Sequence, residues 1–101
     1  MNSGEAPWRQ RGAHGDLILE MRTLRTSVKD KTKGSITEEI RVRYSAGRIL
    51  LDKEVTLNWT HFGQINAAFS DDGLSVVVTT SDGRDRVWPL AALIPPKDSK
   101  G

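Results

Sequence analysis

Residues 64–89 read QINAAFSDDGLSVVVTTSDGRDRVWP, and this stretch decides the fold. Ile65, Ala67 and Phe69 alternate with polar or small residues, and Val76 and Val78 continue the alternation after Asp72-Gly73. A period of two is the repeat of a half-buried strand. Asp72-Gly73 and Asp82-Gly83 each separate two such runs. Asp-Gly favours a hairpin because both central residues of a type I′ turn need positive φ. With each dipeptide as a two-residue loop, Phe69 faces Val76, Ala67 faces Val78, Val78 faces Val87 and Val76 faces Pro89. Apolar meets apolar throughout, whereas a one-residue slip would pair core with solvent. This register also aligns Ala68, Val77 and Trp88 on the reverse side. The sheet is then apolar on both faces and requires a cover. The candidates are the N-terminal arm with Trp8, the segment after Pro89, or a second copy of the chain.

Upstream, the same period holds. Leu17, Leu19 and Met21 share one phase, and Leu24, Thr26 and Val28 continue in the other. One extra residue near Arg22–Thr23 restores the register, which predicts a β-bulge in a first strand over 16–28. Residues 29–35 form a polar connection. A second strand over 36–45 turns Ile40, Val42 and Tyr44 to one side and Glu39, Arg41 and Arg43 to the other. A third over 48–59 aligns Ile49, Leu51, Val55, Leu57 and Trp59. A two-residue loop at Ala46-Gly47 places Tyr44 opposite Ile49, Val42 opposite Leu51, Ile36 opposite Leu57 and Arg41 opposite Asp52. Glu38 and Lys53 fall on the inner face, where charge discourages a foreign strand from adding at an edge. Residues 64–71, 74–81 and 84–89 supply three more strands. Leu90, Leu93 and Ile94 are spaced for one helical turn opened by Pro89. The expectation is an all-β fold: a six-stranded antiparallel meander, closed as a small barrel or a two-layer sandwich, with one short C-terminal helical turn. The sheet turns its corner at Thr60–Gly63. Residues 1–15, with Gly4, Pro7, Gly12 and Gly15, read as a flexible arm, 16–94 as a single β domain, and 95–101 as a flexible tail.

The 101-residue chain holds 15 Lys/Arg and 13 Asp/Glu, and no cysteine. The absence of cysteine rules out disulfides and thiolate chemistry. No apolar run resembles a signal peptide or a membrane helix, so a cytoplasmic location is expected. Residues 1–60 carry 11 basic against 8 acidic side chains, and residues 61–101 carry 4 against 5. The basic excess gathers at Arg9, Arg11, Arg22, Arg25, Lys29, Lys31 and Lys33, which points toward an anionic partner or simply a solvated loop and strand edge.

Catalytic chemistry finds no footing. His14 and His61 are the only histidines and neither has a local set of ligands or a nucleophile; a zinc site needs three or four donors. Glu38 and Glu39 are neighbours in a strand and point to opposite faces. Asp71-Asp72 belong to a turn. No glycine opens a helix to cradle phosphate. No enzyme, metal, cofactor or small-molecule substrate is expected. Among the aromatics, Tyr44, Trp59 and Phe69 are in core phase. Trp8 lies between Pro7 and Arg9 in the polar arm. A tryptophan beside arginine anchors a partner, stacks on a base, or folds back on its own domain.

His61, Gly63, Phe69-Ser70, Asp72-Gly73, Ser81-Asp82-Gly83 and Trp88 follow the order found in one blade of a WD-repeat propeller, which residues 61–90 resemble. Pro89 stands where the blade has Asp, and the Gly-His dipeptide is missing. Residues 16–60 hold no second copy, and one blade cannot close a propeller. No site residue is carried over.

The doubly apolar second sheet, without chemistry beside it, leads to a non-enzymatic protein-interaction module that binds another protein or a second copy of itself. The alternative is a nucleic-acid-binding domain using the basic arm and the 29–33 loop. Partner contacts are expected at Trp8, Arg9, Arg11, Lys29, Lys31, Lys33 and Trp88, with no membrane involvement.

Overall fold

A computed structural model describes residues 7–61, 63–90 and 93. It is all-β: antiparallel strands β1 (Arg9–His14), β2 (Leu17–Asp30), β3 (Lys33–Tyr44), β4 (Ile49–Thr60), β5 (Ile65–Phe69), β6 (Ser75–Thr80) and β7 (Arg86–Pro89). β1 to β4 form one sheet in sequence order and β5 to β7 a second. The chain passes between them after Thr60, where His61 adopts φ 74°. That corner lies where the sequence placed it.

The described residues form seven strands where six were expected. Residues 9–14, assigned to a flexible arm, pair with β2, with Arg9 opposite Met21 and His14 opposite Leu17. The polar connection expected over 29–35 is mostly strand, because β2 runs to Asp30 and β3 starts at Lys33. Asp30 makes this tight turn possible by accepting the Thr32 N–H (2.8 Å) and hydroxyl (3.0 Å). The bulge near Arg22–Thr23 appears as a register shift between Thr23 and Arg25. It carries Thr26 and Val28 back to the inner phase, opposite Ile36 and Gly34. Of the C-terminal helical turn, Leu93 N–H bonds to Leu90 O (2.8 Å); Ile94 lies outside the described residues.

The two sheets face each other across one core. Leu17, Leu19, Met21, Ile40, Val42, Leu51, Val55 and Leu57 come from the first sheet, and Ile65, Ala67, Val76 and Val78 from the second. Leu90 joins them, fully buried. Burying a leucine-sized side chain contributes about 1.5–3 kcal/mol, so these apolar side chains outweigh any single ion pair described below.

The three short hairpins share a turn that the dipeptides did not specify. Gly47, Gly73 and Gly83 donate to Tyr44 O, Ser70 O and Thr80 O (2.8–3.0 Å). Each glycine therefore ends its β-turn rather than sitting at its centre. The described non-glycine residues with positive φ do not include Ala46, Asp72 or Asp82, so these are not type I′ turns. In the β5–β6 hairpin an even number of residues separates the last paired positions, which keeps the expected register, with Phe69 opposite Val76 and Ala67 opposite Val78. The β6–β7 loop shifts the register by one: Val76 faces Trp88, Val77 faces Val87 and Val78 faces Arg86. Trp88 therefore points to the core side, half-buried against the core cluster, with Lys53 Nζ 5.8 Å from its ring centroid. The expected Ala68–Val77–Trp88 strip is instead Ala68–Val77–Val87, with Val87 59% exposed. In the β3–β4 hairpin, Arg43 rather than Tyr44 faces Ile49, and a bulge at Leu50 restores Val42 opposite Leu51 and Ile36 opposite Leu57.

Candidate interaction surface

The strands of the first sheet are longer than the layer that covers them. β2 has 14 residues and β3 and β4 have 12 each, against 5, 6 and 4 in β5, β6 and β7. At about 3.4 Å per residue, the long ladder outruns the second sheet, and the molecule reaches 57 Å in its longest dimension. Beyond the cover, the inner phase continues with Thr26, Val28, Ile36 and Trp59. Val28 is 69% exposed, and Ile36 and Trp59 are half-buried.

Trp59 holds its place by close approach to backbone. It faces Gly34 across the ladder, and a Cβ on Gly34 would lie 2.5 Å from the indole and from Ser27 O. Only a residue without a side chain fits there. Gly63, just past the corner, closes on the five-membered ring. Two open hollows adjoin this ring and its neighbours. One of about 420 Å³ is lined by Val28, Ile36, Trp59 and His61. The other, about 330 Å³, is lined by Arg9, Arg11 and Glu38. They share Ile36 and Gly63 and so adjoin each other.

Cations lie to either side: Arg9 and Arg11 line the second hollow, and Lys29 and Lys33 line a third, of about 260 Å³, that shares Trp59 with the first. Lys29, Lys31 and Lys33 ring the β2–β3 tip, all exposed. Among the described residues none of the three forms an ion pair. Asp30, between Lys29 and Lys31 in sequence, accepts from Thr32, whose hydrogen bonds hold its carboxyl below the usual aspartate value. Arg11 donates only a long bond to Asn66 Oδ1 (3.5 Å). Arg9 differs: it bonds Glu38 at 2.9 Å. Glu38 is 4% exposed and also accepts the Thr23 hydroxyl at 2.6 Å. A buried carboxylate requires such partners.

The opposite, outer face of the long sheet is charged but neutralised. Glu20 accepts both Arg41 (2.7 Å) and Arg43 (3.1 Å). Burial pushes its pKa up, yet the two guanidinium groups more than offset this and hold it below the usual glutamate value. Arg22 bonds Glu39 at 2.8 Å. Asp52, one strand over, is pushed up to about 6, first by desolvation and then by the neighbouring Glu39 carboxyl that shares its hydrogen bond. Trp8 lies on this lattice, its ring centroid 3.8 Å from the Arg41 guanidinium carbon and 4.5 Å from that of Arg22. It thus folds back onto the first sheet and does not cover the second.

The seven residues expected to contact a partner therefore fall in three places. Arg9, Arg11, Lys29, Lys31 and Lys33 gather at the open end. Trp8 is stacked on the outer face and Trp88 on the core side. Val28, Ile36 and Trp59 were not among them. The signal that identifies them is the mismatch in strand length, which leaves inner-phase residues with nothing opposite. Among the described residues no group of three metal-ligating side chains occurs, and no helix is long and apolar enough to cross a membrane. No family model, curated protein or solved structure matches this chain.

Proposed function

We propose that this chain is a non-enzymatic protein-interaction module whose contact surface is the uncovered end of the long sheet. The observation that carries the proposal is Val28, 69% exposed on the same side of the sheet as Ile36 and Trp59, in a depression lined by all three. Interfaces concentrate their energy in a few desolvated apolar or aromatic anchors ringed by polar groups. Trp59 supplies the anchor and the lysines the rim. A second copy fits less well, because it would set Lys29, Lys31 and Lys33 against their own equivalents. The outer strip Ala68–Val77–Val87 is the competing surface, and it lacks an aromatic anchor now that Trp88 turns inward.

Capture of partners from the native host distinguishes the two surfaces. Val28→Asp is expected to abolish the capture that wild type gives, and Val87→Asp to leave it intact. Loss with Val87→Asp and retention with Val28→Asp would move the function to the second sheet.

A further inference from the structure

We propose that the segment received at the open end is an acidic peptide, with an apolar side chain for the Val28–Trp59 shelf and carboxylates for Lys29, Lys33 and Arg11. This rests on the protein-interaction function proposed above and names the partner's chemistry. The argument compares the charges of two regions. On the outer face each of Arg22, Arg41 and Arg43 is matched by Glu20 or Glu39 within 3.1 Å. At the open end the acids are already occupied. Asp30 is held by Thr32, and Glu38 by Arg9 and Thr23. Glu54 stands 3.8 Å from the exposed Arg25. Among the described residues, Lys29, Lys31 and Lys33 have no acidic partner, and Arg11 has only an amide. An incoming chain therefore meets, beside an apolar floor, more cations than acids, and Lys29, Lys31, Lys33 and Arg11 form no ion pair among the described residues.

Nucleic acid shares the negative charge but fits the floor less well. Single-stranded binders stack bases on aromatic faces. Here two of the three floor side chains, Val28 and Ile36, are aliphatic. Gly34 and Gly63 also press on the indole of Trp59. Aliphatic groups suit a protein side chain.

The test uses the full chain and four probes: a short fluorescent peptide of glutamates around a central leucine pair, its glutamine counterpart, its lysine counterpart, and an oligothymidylate. Binding is read by anisotropy and by tryptophan fluorescence at about 0.01 M and 0.15 M salt, where the Debye length falls from about 30 to 8 Å. The glutamate peptide is expected to bind on the order of tenfold tighter than the glutamine peptide at low salt. That advantage should shrink at the higher salt. Lys29→Glu with Lys33→Glu should remove it, and Val28→Asp should weaken both peptides. Equal binding of the glutamate and glutamine peptides overturns the acidic preference while leaving the protein-interaction proposal standing. Tighter binding of oligothymidylate than of any peptide, with a steep salt slope, overturns both. Failure of all four probes with folded protein overturns the acidic-peptide proposal, and the Val28/Val87 capture comparison then decides the interaction proposal by itself. Circular dichroism of each variant verifies folding.

Discussion

The β3–β4 and β6–β7 hairpins turn on the same device, yet in the first only Ile49 beside the turn leaves the core side, 50% exposed, whereas in the second the change runs along β7. In both, a glycine ends a β-turn and donates to the residue three positions back: Gly47 to Tyr44 and Gly83 to Thr80. Each turn sets its ladder one residue away from the register of a two-residue loop. In β3–β4 the shift lasts until the bulge at Leu50, after which Val42 meets Leu51 as the apolar pattern requires. In β6–β7 no bulge follows, so Trp88 comes inward and Val87 goes out. A hairpin's facing is thus the parity of its loop together with any bulge downstream, and the turn dipeptide reports neither.

The largest expected effect separates Val87 from Trp88. Trp88→Ala removes a half-buried indole from the core side and should cost about 3 kcal/mol, the low end for aromatic truncation. Val87→Ala, at a side chain 59% exposed, should stay within about 0.5 kcal/mol. Urea denaturation of both variants checks the register, since the two-residue-loop register exchanges the two values. Deletion of Leu50 comes next. It should leave a continuous ladder, because Arg43–Ile49 and Val42–Leu51 become consecutive pairs. The loss should be about 1–2 kcal/mol, for one half-buried leucine. A chain that no longer folds without Leu50 would show that the bulge supplies twist the sheet needs rather than correcting phase alone.

The contrast also shows where a sequence is legible. β2 marks its own bulge, because Met21 and Leu24 break the alternation visibly. β4 begins Ile49-Leu50-Leu51, and three apolar residues in a row carry no phase. β7 has only four residues, and Val87-Trp88 satisfies an apolar pairing in either register. The residues of β1 are polar on both sides, so nothing in their pattern announces a strand; it forms because Arg9 reaches Glu38 and the backbone reaches β2. The lysines at the open end were apparent from composition. Their apolar floor was hidden because Val28, Ile36 and Trp59 are in core phase, and only the length of β5–β7 reveals that no core lies above them.

Alanine at the turn glycines should cost less than Trp88→Ala. Gly47 has φ 121° and Gly83 φ 83°, and no neighbouring atom lies within 4 Å of either added Cβ. The cost is therefore backbone strain, about 1–2 kcal/mol at Gly83. It should be greater at Gly47, whose φ lies farther from the left-handed helical well. Thermal melts of the two variants measure the difference. Equal stability to wild type would mean that the loops relax into other turn types and that parity is set by the strands.

The smallest effect probes what the Leu50 bulge does to charge. It places Asp52 on the outer face, opposite Arg41 and sharing a hydrogen bond with Glu39. Asp52 in the folded chain titrates at about 6, against an ordinary 3.8. The unfolded chain therefore releases this proton first. Between about pH 4 and 6 the folded state binds more protons, so the Asp52 contribution to stability declines as pH rises through that window. Glu39 acts in the opposite sense: held below its ordinary value first by Asp52 and then by Arg22, it favours folding above the usual glutamate range and loses that contribution on acidification. Asp52→Asn keeps a donor for Glu39 without the charge. At pH 7 it should be more stable than wild type by under about 1 kcal/mol, as suits an exposed, screened site, and at pH 4 the two should coincide. Urea midpoints at both pH values decide it. If Asp52→Asn is instead weaker at pH 7 and equal at pH 4, Asp52 serves Arg41 as a counter-ion, and the bulge adds an ion pair rather than tolerating a strained one.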